Sequence, residues 1–126
     1  MADSQTSENP VELFDMHVAH VGINAQNPEE AHEIAQQFKL LLGLDVHETE
    51  VSYFSDTLVE TMKQNGRGEK GHIGFAVNDI TAAEAWFEKR GMPVDNASRR
   101  LAADGSTMLV YFQKDIAGFA IHLTQA

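Results

Sequence analysis

Apolar positions recur along the chain with two periods, and the switching between them predicts the elements. Ala31, Ile34, Ala35, Phe38, Leu41 and Leu42 fall at helical spacing behind Asn27-Pro28-Glu29-Glu30, an N-cap followed by proline at the first helical position and a glutamate three residues on. Gly43 supplies the stop, so a helix of about four turns is expected. A second, shorter helix starts at Asp79-Ile80-Thr81, carries Ala82, Ala85 and Trp86, and reaches Lys89-Arg90 before Gly91. Strand-like runs occupy 16–24, 44–50, 51–54 and 58–63 around the first helix, and 71–78, 93–101, 107–113 and 119–124 around the second. Ser55-Asp56, Asp104-Gly105 and Gly118 mark the turns. Both halves read strand, helix, strand, strand, strand.

Laid on one another, the halves coincide in chemistry as well as in order. His20-Val21-Gly22-Ile23 matches His72-Ile73-Gly74-Phe75, Leu42-Gly43-Leu44 matches Lys89-Arg90-Gly91, and Leu58-Val59-Glu60-Thr61 matches Ala120-Ile121-His122-Leu123. Strand alternation puts Val21 and Ile23, or Ile73, Phe75 and Val77, on the face that packs under a helix. The opposite face carries His20 and Gly22, or His72, Gly74 and Ala76, which leaves room beside each histidine. If the halves curve around a shared cavity, His20, Glu60, His72 and His122 converge from four strands. Three imidazoles and a carboxylate suit a divalent Zn, Ni, Fe, Co or Mn ion, with octahedral positions left for water or substrate. Such an ion polarises a carbonyl or enol oxygen, or lowers the pKa of bound water.

Other chemistry-bearing residues read more plainly. His17, His32 and His47 have no repeat partner and are expected at the surface or in local hydrogen bonds. Arg99 and Arg100 are most simply part of a solvated strand or turn, yet with Arg67 and Lys70 they could hold an anionic substrate group. Phe38, Trp86 and Phe87 suit core packing, and Met62 and Met108 suit cavity or core filling.

Composition narrows the function classes. With 126 residues, 43% of them hydrophobic, the chain forms one compact domain or two small modules sharing a core. Nineteen acidic against nine basic residues give a formal charge of −10, which argues against nucleic acid and anionic membrane as partners. The net negative charge lies in one half: residues 1–62 carry −11 and residues 63–126 carry +1. With no cysteine, a metal site must use His, Asp or Glu. The polar start has no basic segment followed by an apolar run, and no stretch of about 18 apolar residues occurs. The expectation is a soluble cytoplasmic protein with a disordered leader over 1–12 and a single domain over 13–126, built of modules at about 16–64 and 70–126.

These motifs resemble the vicinal oxygen chelate superfamily of glyoxalase, bleomycin-resistance and extradiol dioxygenase proteins. The resemblance covers about residues 16–125. It is carried by His20-Val-Gly-Ile, the helix end Leu41-Leu42-Gly43-Leu44, Gly71-His72-Ile-Gly-Phe-Ala-Val-Asn-Asp79, and the stretch from Tyr111-Phe112 through Gly118 to His122. It implies an α+β fold in which two paired βαβββ modules form a curved mixed sheet around a cavity, with metal ligands on first and last strands. Residues 116–123, with Gly22-Ile23-Asn24-Ala25, look like the small glyoxalase-like domain fused or adjacent to ketohydroxyglutarate and ketodeoxyphosphogluconate aldolases. His122 departs from the usual family pattern, which has glutamate there, while Glu60 stands at the equivalent place in the first half. A Schiff-base aldolase is itself excluded, because its (β/α)₈ barrel takes about 250 residues.

The leading expectation is a metal-dependent isomerase, epimerase or lyase acting on a small oxygenated anion such as a 2-oxo or 2-hydroxy acid, with Glu60 as ligand and catalytic carboxylate. The resemblance also implies a homodimer and possible association with an aldolase. The rival expectation is a non-catalytic module of the same fold that binds a small molecule or accompanies an aldolase. A third is a structural or interaction domain whose histidines only fill the core.

Overall fold

The computed structural model describes residues 9–126, so residues 1–8 of the expected leader lie outside the described residues. A short helix, α1 (Pro10–Phe14), follows directly, its first turn capped by the Asn9 side chain, which accepts the Val11 N–H at 2.9 Å. This helix is absent from the sequence reading because a five-residue segment is too short to show a period. The remaining elements are β1 (His17–Asn24), α2 (Pro28–Leu42), β2 (Val46–Glu48), β3 (Ser52–Ser55), β4 (Val59–Met62), β5 (Gly71–Val77), α3 (Ile80–Lys89), β6 (Val94–Leu101), β7 (Thr107–Phe112) and β8 (Phe119–Gln125). The duplicated βαβββ order expected from the sequence is present.

Local chemistry explains the helix ends. Asn27 accepts the Glu30 N–H at the start of α2, and the Glu30 carboxylate reaches back to the Gln26 N–H. Gly43 closes α2 in the left-handed region, at φ 73°, with its N–H on the Lys39 and Phe38 carbonyls. In α3 the Asp79 side chain accepts the Ala82 N–H, and at the far end the Arg90 guanidinium lies 3.7 Å from the centre of the Trp86 ring.

The eight strands order as β2-β3-β4-β1-β5-β8-β7-β6 in a mixed sheet. β1 and β4 pair in parallel, with Gly22 opposite Glu60, while β2–β3, β3–β4, β6–β7 and β7–β8 pair antiparallel. The chain condenses into two compact units. The first comprises Ala19–Ile73 with Asp115–Ala120, tied in part by the Lys70 N–H on the Gly118 carbonyl; the second comprises residues 9–18, Gly74–Lys114 and Ile121–Ala126.

Their interiors differ. The second unit buries Phe14, Val77, Ile80, Val94, Val110, Phe112, Ile121 and Leu123, and its aromatic rings meet edge to face from Phe14 through Trp86 and Phe87 to Phe112. In the first unit α2 buries only Ala31 and Ala35, over strands that hold Ser55 and Thr61 fully buried. Leu41 and Leu42, at the end of the apolar period read in α2, are 79% and 64% exposed, and with Ile23, Ile34 and Phe38 they line an open groove of about 420 Å³. Periodicity identified the apolar face of the helix; small alanines make its closest contacts, and the face is covered only in part. No described helix is long and apolar enough to cross a membrane.

Candidate metal centre

Alternation along β1 and β4, with Gly22 opposite Glu60, sets His20, Gly22 and Glu60 on one face. In β3, Phe54 lies opposite Glu60, and Ser52, two residues earlier, shares that face. His72 enters from the start of β5 and is 3% exposed. Gly22 exists to admit it: a Cβ at Gly22 would fall 1.9 Å from Cε1 and 2.1 Å from Nδ1 of the His72 ring. Gly71, at φ 132°, allows an equally close approach, since a Cβ there would lie 2.1 Å from the Gly22 carbonyl oxygen.

Three ligand atoms meet above Gly22. The Nε2 atoms of His20 and His72 are 3.1 Å apart, and Glu60 Oε1 lies 3.2 Å from His72 Nε2 and 3.6 Å from His20 Nε2. Adjacent ligands on an ion with bonds of about 2.1 Å sit about 3.0 Å apart in an octahedron and about 3.4 Å apart in a tetrahedron. The residues present therefore fit a divalent metal in both spacing and donor chemistry. Burial, then the neighbouring His72 charge, push the His20 pKa down against the pull of Glu60, which leaves the His20 lone pair available. Burial pushes the Glu60 carboxyl up, but the hydrogen bonds from His72 and Ser52 and the histidine charges outweigh it, and its pKa falls below the ordinary carboxylate value. The second Glu60 oxygen, Oε2, accepts the Ser52 hydroxyl at 2.8 Å. Phe54 stands edge-on to His20, with ring centres 5.7 Å apart.

His122 lies on β8 in the second unit, opposite Tyr111 on β7, 1% exposed and with its ring 4.9 Å from the Tyr111 ring.

The cations named from sequence are placed differently from one another. Arg99 donates through both terminal nitrogens to the Glu84 carboxylate, at 2.9 and 2.6 Å, and further to Thr107 Oγ1 and Asn96 Oδ1. That hydrogen bonding to Glu84 raises the Arg99 pKa, so its guanidinium is engaged within β6, α3 and β7. Arg100 is exposed on β6, and Arg67 is exposed in the segment between β4 and β5. His17, His32 and His47 are exposed; His17 Nδ1 bonds the Asp15 carbonyl and His32 stacks edge-on with Tyr53.

Ser52, Phe54 and Thr49 belong to the same neighbourhood and are absent from the sequence reading. Their signal is the β3–β4 register, which follows once the turn at Asp56 is fixed by its φ of 54° and by the Thr57 N–H on its side chain.

The chain matches no protein-family model. No curated protein matches it either. Among solved structures, it superposes on a Streptomyces coelicolor methylmalonyl-CoA epimerase variant in complex with 2-nitronate-propionyl-CoA, with TM-score 0.60 and 19% identity over 86% of this chain and 96% of the other. A methylmalonyl-CoA epimerase in complex with methylmalonyl-CoA and NH4+ gives TM-score 0.61 at 18% identity, over 88% of this chain and 94% of that one. The Mycobacterium tuberculosis methylmalonyl-CoA epimerase gives 0.60 at 16% identity, over 86% of each. With an eight-stranded mixed sheet made from two βαβββ halves and neighbours of this kind, the chain has the glyoxalase-like fold that these epimerases share.

Proposed function

We propose that the chain is a divalent-metal-dependent isomerase that epimerises or isomerises a small oxygenated anion at the carbon next to a carbonyl. The observation that carries this reading is the meeting of His20 Nε2, His72 Nε2 and Glu60 Oε1 within 3.6 Å above a glycine whose missing side chain makes the space. His122 is the fourth ligand in this proposal, through its equivalence to Glu60 in the duplicated sequence. A bound ion supplies Lewis acidity, which acidifies a C–H beside a carbonyl.

The protein's own groups set the conditions for that chemistry. His20 stays neutral near pH 7 because burial and the His72 charge oppose its protonation. Glu60 stays ionised and anchored by Ser52. Phe54 beside His20 provides an apolar wall that excludes water from one side of the site. The cations proposed for the substrate's anionic group are Arg67 and Arg100, both of them exposed.

Elemental analysis of purified protein, paired with deuterium exchange in D2O, tests the reading. The exchange panel holds 2-oxo acids, 2-hydroxy acids and, because the epimerase neighbours bind such esters, 2-methyl-branched CoA thioesters. Near-stoichiometric metal and exchange at the carbon beside the carbonyl are expected, both lost in His72→Ala. Glu60→Gln keeps an oxygen ligand but loses basicity, so retained metal with lost exchange assigns the proton-transfer role to Glu60. Ligand-induced thermal stabilisation without any exchange would instead establish a binding module.

A further inference from the structure

We propose that Ser52 is a positioning residue that holds Glu60 as a one-oxygen ligand; the proposal rests on the metal reading above. Ser52 is fully buried on β3, and its hydroxyl lies 2.8 Å from Glu60 Oε2. An ionised carboxylate only accepts hydrogen bonds, so the single Ser52 proton is directed at Glu60. Thr49 Oγ1 lies 2.8 Å from the Ser52 hydroxyl oxygen, and its single proton also reaches the Ser52 carbonyl oxygen, at 3.1 Å. Thr49 Oγ1 in turn accepts the backbone N–H groups of Ser52 and Val51, at 2.9 and 3.2 Å. The Ser52 hydroxyl thus donates to Glu60 Oε2 from a turn that Thr49 Oγ1 ties together by accepting the Ser52 and Val51 N–H groups.

That direction separates the two carboxylate oxygens. Oε2 is held by the hydroxyl, while Oε1 is the atom that faces His72 Nε2 and His20 Nε2. A carboxylate free of such a clasp can turn and present both oxygens to one ion, filling two coordination positions. Held by Ser52, Glu60 fills one. With four side chains each giving a single atom, an octahedral ion keeps two positions for a substrate that chelates through two oxygens. The Ser52–Thr49 turn thus governs how much of the ion's coordination sphere the substrate can use.

The test measures zinc affinity by competition with a chromophoric chelator, together with the metal-loaded minus metal-free infrared difference spectrum. The splitting between asymmetric and symmetric carboxylate stretches in that spectrum reports one-oxygen against two-oxygen ligation. In Ser52→Ala, zinc affinity is expected to change by about 10- to 100-fold and the splitting to narrow toward the two-oxygen value. Thr49→Ala, at an exposed turn, is expected to move both readouts in the same direction by less. A folded Ser52→Ala protein with unchanged affinity and splitting overturns the proposal while leaving the metal reading intact. If Ser52→Ala does not fold, unchanged splitting in Thr49→Ala overturns it. Wild-type protein that takes up no zinc overturns this proposal and the metal reading together.

Discussion

The two helices of the duplicated halves cover their strands in opposite ways. α3 sits in a unit where Phe14, Trp86, Phe87 and Phe112 form a run of edge-to-face rings above Val77, Val110 and Leu123, each of the last three at most 1% exposed. α2 presses Ala31 and Ala35 onto a surface that includes buried Ser55 and Thr61, and leaves Leu40, Leu41 and Leu42 in solvent. Full burial of a large apolar side chain stabilises by about 1.5–3 kcal/mol, and alanine offers much less surface to bury. One interior is filled by large apolar side chains, and the other holds small and polar ones. The two halves of the sequence also differ in charge, residues 1–62 carrying −11 and residues 63–126 carrying +1. A divalent cation at His20, Glu60 and His72 would offset part of the repulsion in the acidic half.

The largest expected effect follows from removing a ring from the packed half. Phe112 is 4% exposed and meets Phe87 at 5.3 Å between ring centres. Phe112→Ala is expected to cost about 3–5 kcal/mol in urea unfolding while the folded fraction keeps its zinc affinity. A cost under about 1 kcal/mol would break the contrast in packing between the two units. Its counterpart is Gly22→Ala, where the added Cβ collides with the His72 ring. Here zinc affinity is expected to fall by about 100-fold, with a stability cost of about 1–3 kcal/mol. Chelator competition and urea unfolding on both variants check the crossover.

Much of this contrast was legible in the residues, and the failures have physical causes. The βαβββ order follows from the caps Asn27 and Asp79, the stops Gly43 and Gly91, and strand alternation. His20, Gly22 and Glu60 share a face because a two-residue period admits only two assignments, and the parallel β1–β4 register agrees with that choice. Ser52 was hidden because its place beside Glu60 depends on antiparallel register, which a hairpin turn sets and alternation alone does not. The pairing of Arg99 with Glu84 is not legible in the sequence because Glu84 sits on a different element fifteen residues earlier. The exposure of Leu41 and Leu42 is not legible in the period that contains them, because a hydrophobic period identifies a face and says nothing of how far a neighbour covers it.

Acid separates the halves more gently, and it does so in metal-free protein. The folded His20 pKa is depressed below its ordinary 6.5, so as pH falls through 6.5 the unfolded chain takes up the proton first and stability drops until the folded value is passed. The folded Glu60 pKa lies below its ordinary 4.5, so its contribution is present above 4.5 and is lost as pH falls from there through the lowered value. Urea midpoints of chelator-treated protein from pH 8 to 4 should fall in two stages. His20→Gln is expected to flatten the first stage and Glu60→Gln the second, and a variant curve parallel to wild type would exclude that group as the source.

The smallest effect is expected where the sequence pattern promised one of the larger ones. A leucine at a core-facing helical position costs about 2–5 kcal/mol on truncation, because transfer from water and the cavity left behind add together. Leu41 is 79% exposed, so little of its surface has left water and little cavity would remain. Leu41→Gln is therefore expected to change unfolding free energy by less than about 0.5 kcal/mol, since glutamine keeps helix propensity close to that of leucine. Leu123→Ala, at a comparable apolar position but 1% exposed, supplies the contrast at about 2–5 kcal/mol. If Leu41→Gln costs as much as Leu123→Ala in dilute protein, the α2 face is covered in solution and the thin packing assigned to the first unit is wrong. A cost that appears only at high protein concentration would place a second copy of the chain on that face, because a self-association equilibrium makes stability depend on concentration.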